Sequence, residues 1–139
     1  MPSTTEITVS QLSRLIGLPR SPAIVDVRPD EDFAADMRLI PGARRRQVAD
    51  FATWATDYQD QSVIVACEQG SQLCQGVAAW LRYRGIDAQT LEGGYQAWRN
   101  DDQLLVRADK VPPDDDPQTL RHFEFAKPEV ITKLSVWAD

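Results

Sequence analysis

The sequence predicts a three-layer α/β domain, with helices on both faces of a mostly parallel central sheet of about five strands. Three observations lead there. Short β-rich runs alternate with helical patterns along the first hundred residues. The strongest runs, 23–28 and 62–66, are almost continuously apolar, which suits strands buried on both faces. Strand, helix and strand follow one another in the order that makes parallel crossover connections.

In chain order, residues 6–9 read as a weak strand, and Ser10 is placed to cap a helix over 11–16 that Gly17 stops. Residues 23–28 form the next strand, with aliphatic side chains around Asp26. Helical patterns follow at 31–36 and 48–55. The best strand, 62–66, leads into the best helix, 72–84. There Leu73, Val77, Trp80 and Leu81 are expected on one buried stripe, with Gly85 as the C-cap. Residues 88–91 read as a further strand, and Gly93-Gly94 as a turn before a last short helix. From Asn100 the texture changes. Residues 101–139 read as an acidic connector, with Asp114, Asp115 and Asp116 among prolines, and an appendage whose helix begins after Pro128 and covers 129–137. The domain itself is expected over 1–100, and 112–139 could meet a protein partner or a second copy.

Composition narrows the function. A chain of 139 residues, 42% hydrophobic and 26% charged, suits one globular domain. Fifteen basic against 21 acidic residues leave a net charge of -6, a poor match for a nucleic-acid backbone. The start, Met1-Pro2-Ser3-Thr4-Thr5-Glu6, has no basic segment before an apolar one, and no apolar stretch is long enough to span a bilayer. Cys67 and Cys74 are too few for a disulfide framework and suit a reducing compartment, so a cytoplasmic location is expected. His122 is the only histidine, so neither a metal site nor a Cys-His dyad is expected, and no cofactor is implied.

Chemistry concentrates where the best strand gives way to the best helix: Cys67-Glu68-Gln69-Gly70-Ser71-Gln72-Leu73-Cys74. In open α/β sheets ligands sit at the carboxyl ends of strands. A loop feeding a helix amino terminus presents free N–H groups that favour a thiolate. Gly70 permits backbone angles that a side chain would forbid. Cys67 is thereby a candidate nucleophile, its alternative being a small buried hydrophobe.

The chain also resembles the rhodanese family over about residues 5–100. Val25-Asp26-Val27-Arg28 with Glu31-Asp32-Phe33 is similar to the family's DVR and E-aromatic segment. Ile40-Pro41-Gly42-Ala43 is similar to its IPGA turn, and Leu91-Glu92-Gly93-Gly94-Tyr95-Gln96-Ala97-Trp98 to its closing segment. The cysteine loop lies between the last two, where the family places its catalytic cysteine.

The resemblance implies a rhodanese-like fold and a sulfurtransferase. Cys67 would attack a sulfane sulfur, carry it as a persulfide and pass it to a thiol or other nucleophile. The amides of Glu68, Gln69, Gly70, Ser71 and Gln72 would hold the outer sulfur or the donor. Arg28 would face the donor pocket, supported by Asp26. On its residue type alone, Arg28 could equally form a surface ion pair with Asp30 or Glu31.

Two departures bear on the substrate. Many relatives carry a basic residue at the first or fifth position after the cysteine, where this chain has Glu68 and Gln72. A carboxylate beside the nucleophile is expected to repel thiosulfate and raise the thiol's pKa, which favours a small thiol persulfide or a protein persulfide as donor. Leu39 replaces a frequent histidine, and Met37-Arg38 resembles a local insertion.

Other features have two readings each. Arg44-Arg45-Arg46 is a solvated face, or else it offsets Glu68 or recruits an acidic partner. Cys74 packs as a core residue or resolves a Cys67 persulfide. For the whole chain, the alternatives to sulfur transfer are a non-catalytic or redox-sensing interaction module, a cysteine phosphatase and an arsenate reductase. Phosphoryl transfer would call for an arginine where Gln72 stands.

Overall fold

The structure is a computed structural model, and it describes residues 5–111. The tail with Asp114, Asp115, Asp116, His122 and the expected helix 129–137 lies outside the described residues. Five strands make the central sheet: β1 (Glu6–Ile7), β2 (Ala23–Asp26), β4 (Ala43–Arg45), β5 (Ser62–Ala66) and β6 (Asp87–Leu91). They run in the order β1-β6-β5-β2-β4, and every neighbouring pair is parallel. β5 is central because its side chains are apolar in both directions. Val63 and Val65 enter one core cluster, Ile64 and Ala66 the other.

Helices cover both faces. α3 (Phe51–Trp54) and α4 (Gln72–Tyr83) bury Phe51, Trp54, Cys74, Val77, Ala78 and Leu81 against one face. α1 (Val9–Leu15) and α5 (Gly94–Asn100) bury Leu12, Tyr95 and Trp98 against the other. α2 (Asp30–Ala35) follows β2 and has no fully buried residue. The expected three layers are therefore present.

Several local expectations change. Thr8, not Ser10, caps α1: its hydroxyl accepts from the Gln11 amide at 3.1 Å while the Gln11 side chain accepts from the Thr8 amide at 2.9 Å. The first strand shortens accordingly. The helix expected over 48–55 is broken into a 3₁₀ turn (Val48–Asp50), α3 and a second 3₁₀ turn (Ala55–Tyr58). On α4 the buried stripe is Cys74, Val77, Ala78 and Leu81, and Trp80 is 53% exposed. Small residues at 74 and 78 let the helix approach the sheet closely. Trp80 is left at the rim, edge-on to Phe51 with ring centroids 5.3 Å apart.

The fold also continues past residue 100. β7 (Val106–Arg107) pairs antiparallel with β3 (Arg38–Leu39), and the Trp98 indole donates to the Leu104 carbonyl at 2.8 Å. Val106 is buried, and Leu105, Ala108 and Val111 pack against the α1–α5 cluster.

Candidate active site

β2 and β5 lie side by side, with Asp26 in register with Ala66. Their carboxyl ends therefore deliver Arg28 and Cys67 to the same edge of the sheet. The Val27 amide donates to the Ala66 carbonyl at 2.9 Å, carrying the pairing one residue beyond the strand. Beyond Ala66 the chain turns through Cys67, Glu68, Gln69 and Gly70 into α4, with Ser71 as N-cap. Gly70 has φ +70, the left-handed region that favours glycine.

Cys67 is 1% exposed, at the end of a buried strand. Its Sγ accepts from the Ser71 amide at 3.3 Å and lies 3.4 Å from the Ser71 hydroxyl. The neighbouring Cys74 thiol first, and then the Ser71 hydroxyl and amide, hold the Cys67 thiol down to about 5, against burial, which pushes it up. Glu68 does not raise it, contrary to expectation. The Glu68 carboxylate sits 4.0 Å from the Arg28 guanidinium, an opposite charge beside it.

The amides of Glu68, Gln69, Gly70 and Gln72 have no acceptor among the described residues. Gln69, Ser71 and Gln72 are exposed, and Glu68 and Gly70 are half-buried. The loop thus combines a thiolate with N–H groups that an anionic or polarisable sulfur could use.

Arg28 does not make the surface ion pair that its residue type alone allowed. It is 1% exposed and forms an ion pair with Asp26 at 2.9 Å. It donates to the Asp36 carbonyl at 2.9 Å and the Arg38 carbonyl at 2.6 Å. Its guanidinium lies 3.8 Å from the centre of the Tyr95 ring. Arg28 is therefore a buried tie between β2, β3, α5 and the loop, and it pairs with neither Asp30 nor Glu31. Asp26, as expected, supports it, accepting from its Nε at 2.9 Å and its amide at 2.9 Å.

Two members of the arginine triplet have identified partners. Arg45 pairs with Asp30 at 2.7 Å and donates to the Arg28 carbonyl at 3.0 Å, while Arg46 stacks over Tyr58. Arg44, Arg45 and Arg46 are all half-buried, not a freely solvated face. Cys74 is fully buried in the core, and the Cys67 thiolate beside it first, and then burial, push its thiol up.

Two supports escaped the sequence reading. The α5 amino terminus buttresses the loop: the Tyr95 amide donates to the Cys67 carbonyl at 2.7 Å and the Gln96 amide to the Glu68 carbonyl at 3.0 Å. Gly94 makes that approach possible, since at φ +67 a Cβ there would fall against the Cys67 carbonyl and the Gly70 amide. Its signal was the glycine pair itself. The second support is the Ser71 hydroxyl, whose signal was a serine immediately before a helix.

With this geometry in place, the chain can be compared with known proteins. The model of the rhodanese-like domain matches residues 8–101, most of the described chain. The chain belongs to the rhodanese-like domain family. Among solved structures, this rhodanese-like domain is similar to a rhodanese-like domain protein from Staphylococcus aureus, at 29% identity and TM-score 0.60, over 68% of this chain and 90% of that one. A protein from Staphylococcus saprophyticus matches at 28% identity and TM-score 0.59, over 68% and 92%. A protein from Rhodopseudomonas palustris, described as of unknown function and a possible tyrosine phosphatase, shares the fold at 21% identity and TM-score 0.62, over 71% and 82%. Among the described residues no helix is long and apolar enough to cross a membrane.

Proposed function

We propose that the protein is a sulfurtransferase whose Cys67 takes up a sulfane sulfur as a persulfide and hands it to a thiol acceptor in the cytoplasm. The observation that carries this reading is the Cys67 thiolate, at the carboxyl end of β5, facing the Ser71 amide and hydroxyl. In the first half-reaction the thiolate attacks the outer sulfur of a donor persulfide. The new S–S bond forms as the donor's S–S bond breaks, and the donor leaves as a thiolate. In the second, an acceptor thiolate takes that outer sulfur and regenerates Cys67.

A persulfide donor suits the site better than thiosulfate. Arg28, whose guanidinium lies 4.0 Å from the Glu68 carboxylate of the loop, is already bound to Asp26 and two carbonyls. Gln72 adds no charge at the head of α4. The same shortage weighs against phosphoryl transfer, which needs a cation free to clamp the equatorial oxygens.

Intact mass after incubation with thiosulfate, a small-molecule persulfide and an aryl phosphate tests the proposal. One added sulfur from the persulfide, absent in Cys67→Ser, is expected. Hydrolysis of the phosphate ester with no sulfur on Cys67 would overturn it.

A further inference from the structure

Cys74 is the second buried thiol, and sulfur transfer as just described gives it no part. It sits on the first turn of α4, in the same apolar cluster as Cys67. Its Sγ donates to the Ser71 carbonyl at 3.2 Å, which also accepts from the Gln75 amide at 3.3 Å. Ser71 in turn directs its amide and its hydroxyl at the Cys67 sulfur, at 3.3 Å and 3.4 Å. One residue is thus held from the core by Cys74 and faces the nucleophile on its other side. For packing alone, alanine or valine would serve at position 74. A thiol differs from them in carrying a donor.

The protonation states agree with this arrangement. The Cys67 thiolate and burial push the Cys74 thiol up, so that Cys74 keeps its proton where Cys67 has lost its own. The pair is unequal: one sulfur reacts and the other donates.

We infer that Cys74 is a positioning residue for the nucleophile: its thiol fixes Ser71 at the head of α4 and keeps the Ser71 amide and hydroxyl aimed at the Cys67 sulfur. This rests on the reading of Cys67 as the reacting group and adds a residue to its machinery.

The test follows alkylation of Cys67 by iodoacetamide against pH in the full chain, with peptide masses separating Cys67 from Cys74. Cys74→Ala removes the donor, and its alkylation midpoint is expected to rise by roughly one pH unit, and by less in a Ser71→Ala background, because the effect passes through Ser71. An equal rise in both backgrounds would show Cys74 acting on Cys67 directly and overturns the inference. Cys74→Ser keeps a donor and is expected to stay close to the unsubstituted protein. Cys74→Val, which fills the site without a donor, is expected to behave as Cys74→Ala and repeats the measurement if alanine loosens the core. A packing role alone would change the melting temperature and leave the midpoint in place. An unmoved midpoint in a folded Ala or Val variant overturns the inference, as does a Ser variant shifted as far as Ala. The outcome is separable from that of the proposed function. A midpoint that shifts in a protein that accepts no sulfur leaves the inference standing and removes sulfur transfer.

Discussion

At the scale of single residues, Cys67 and Arg28 divide the site between reactivity and restraint. Cys67 is held down to about 5 by the Cys74 thiol, then by the Ser71 hydroxyl and amide. An ordinary thiol ionises near 8.5. Its alkylation rate should therefore stay flat from pH 8 to about 6 and fall only as pH drops through the folded value, about tenfold per unit. Ser71→Ala, which removes the hydroxyl donor, should move that fall upward by roughly one unit. Stopped-flow alkylation at a series of pH values reads both. A rate that climbs steadily between pH 7 and 9 in the unsubstituted protein would contradict this picture.

Arg28 makes the opposite kind of prediction. Its side chain is fully buried, and its carboxylate partner Asp26 is nearly so. Arg28→Met leaves that carboxylate without its cation and should cost about 3–5 kcal/mol in urea unfolding. In Asp26→Asn/Arg28→Met the loss should be smaller than in Arg28→Met, because no buried charge is then left unpaired. A double variant that loses at least as much as the single one would mean that the pair is not what Arg28 contributes.

At the scale of elements, the loop is shaped by what backs it. Gly94 allows α5 to begin against the loop, so that the Tyr95 and Gln96 amides reach the Cys67 and Glu68 carbonyls. Gly94→Ala puts a methyl group where those backbones meet and also strains a positive φ. We expect a loss of about 1–3 kcal/mol and slower alkylation of Cys67 at neutral pH, because the displaced loop no longer presents Ser71 to the sulfur. Chemical denaturation and the alkylation assay together check it; Gly85→Ala, at a helix end far from the loop's backbone, should lose stability and keep Cys67 reactivity.

The elements also show where the sequence was readable. β2, β5 and α4 follow from local pattern: aliphatic runs, an apolar stripe, a glycine where the helix stops. The rotation of α4 does not, because Trp80 scores as apolar while Cys74 and Ala78 are the residues small enough to meet the sheet. β3 and β7 are two residues each and pair across more than sixty residues of sequence, so neither carries a local signal. The position of Cys67 was legible for the same local reason as β5. The role of Arg28 was hidden, since its carbonyl acceptors lie eight and ten residues away, at the end of α2 and in the two-residue strand β3.

At the scale of the whole molecule, the site is tied to a strap that follows α5. From Asn100 the chain returns so that Val106 is buried beside β3, the Ala108 amide donates to the Met37 carbonyl at 3.0 Å, and the Trp98 indole finds Leu104. β3 is the strand whose Arg38 carbonyl accepts from Arg28, and Arg28 reaches Glu68 in the cysteine loop. Removing the strap therefore frees β3, loosens the seat of Arg28 and relaxes the loop in turn. A chain ending at Asn100 should be less stable than one ending at Val111 by about 2 kcal/mol, from the exposure of Val106 and the lost indole bond. For a domain of this size that lowers the melting temperature by roughly 10 °C. Because the loosening is transmitted through Arg28, the shorter chain should also alkylate Cys67 more slowly at 20 °C, well below its own melting point. Equal reactivity in two chains of unequal stability would show that the strap only closes the core and that the restraint on the loop comes from α5 alone.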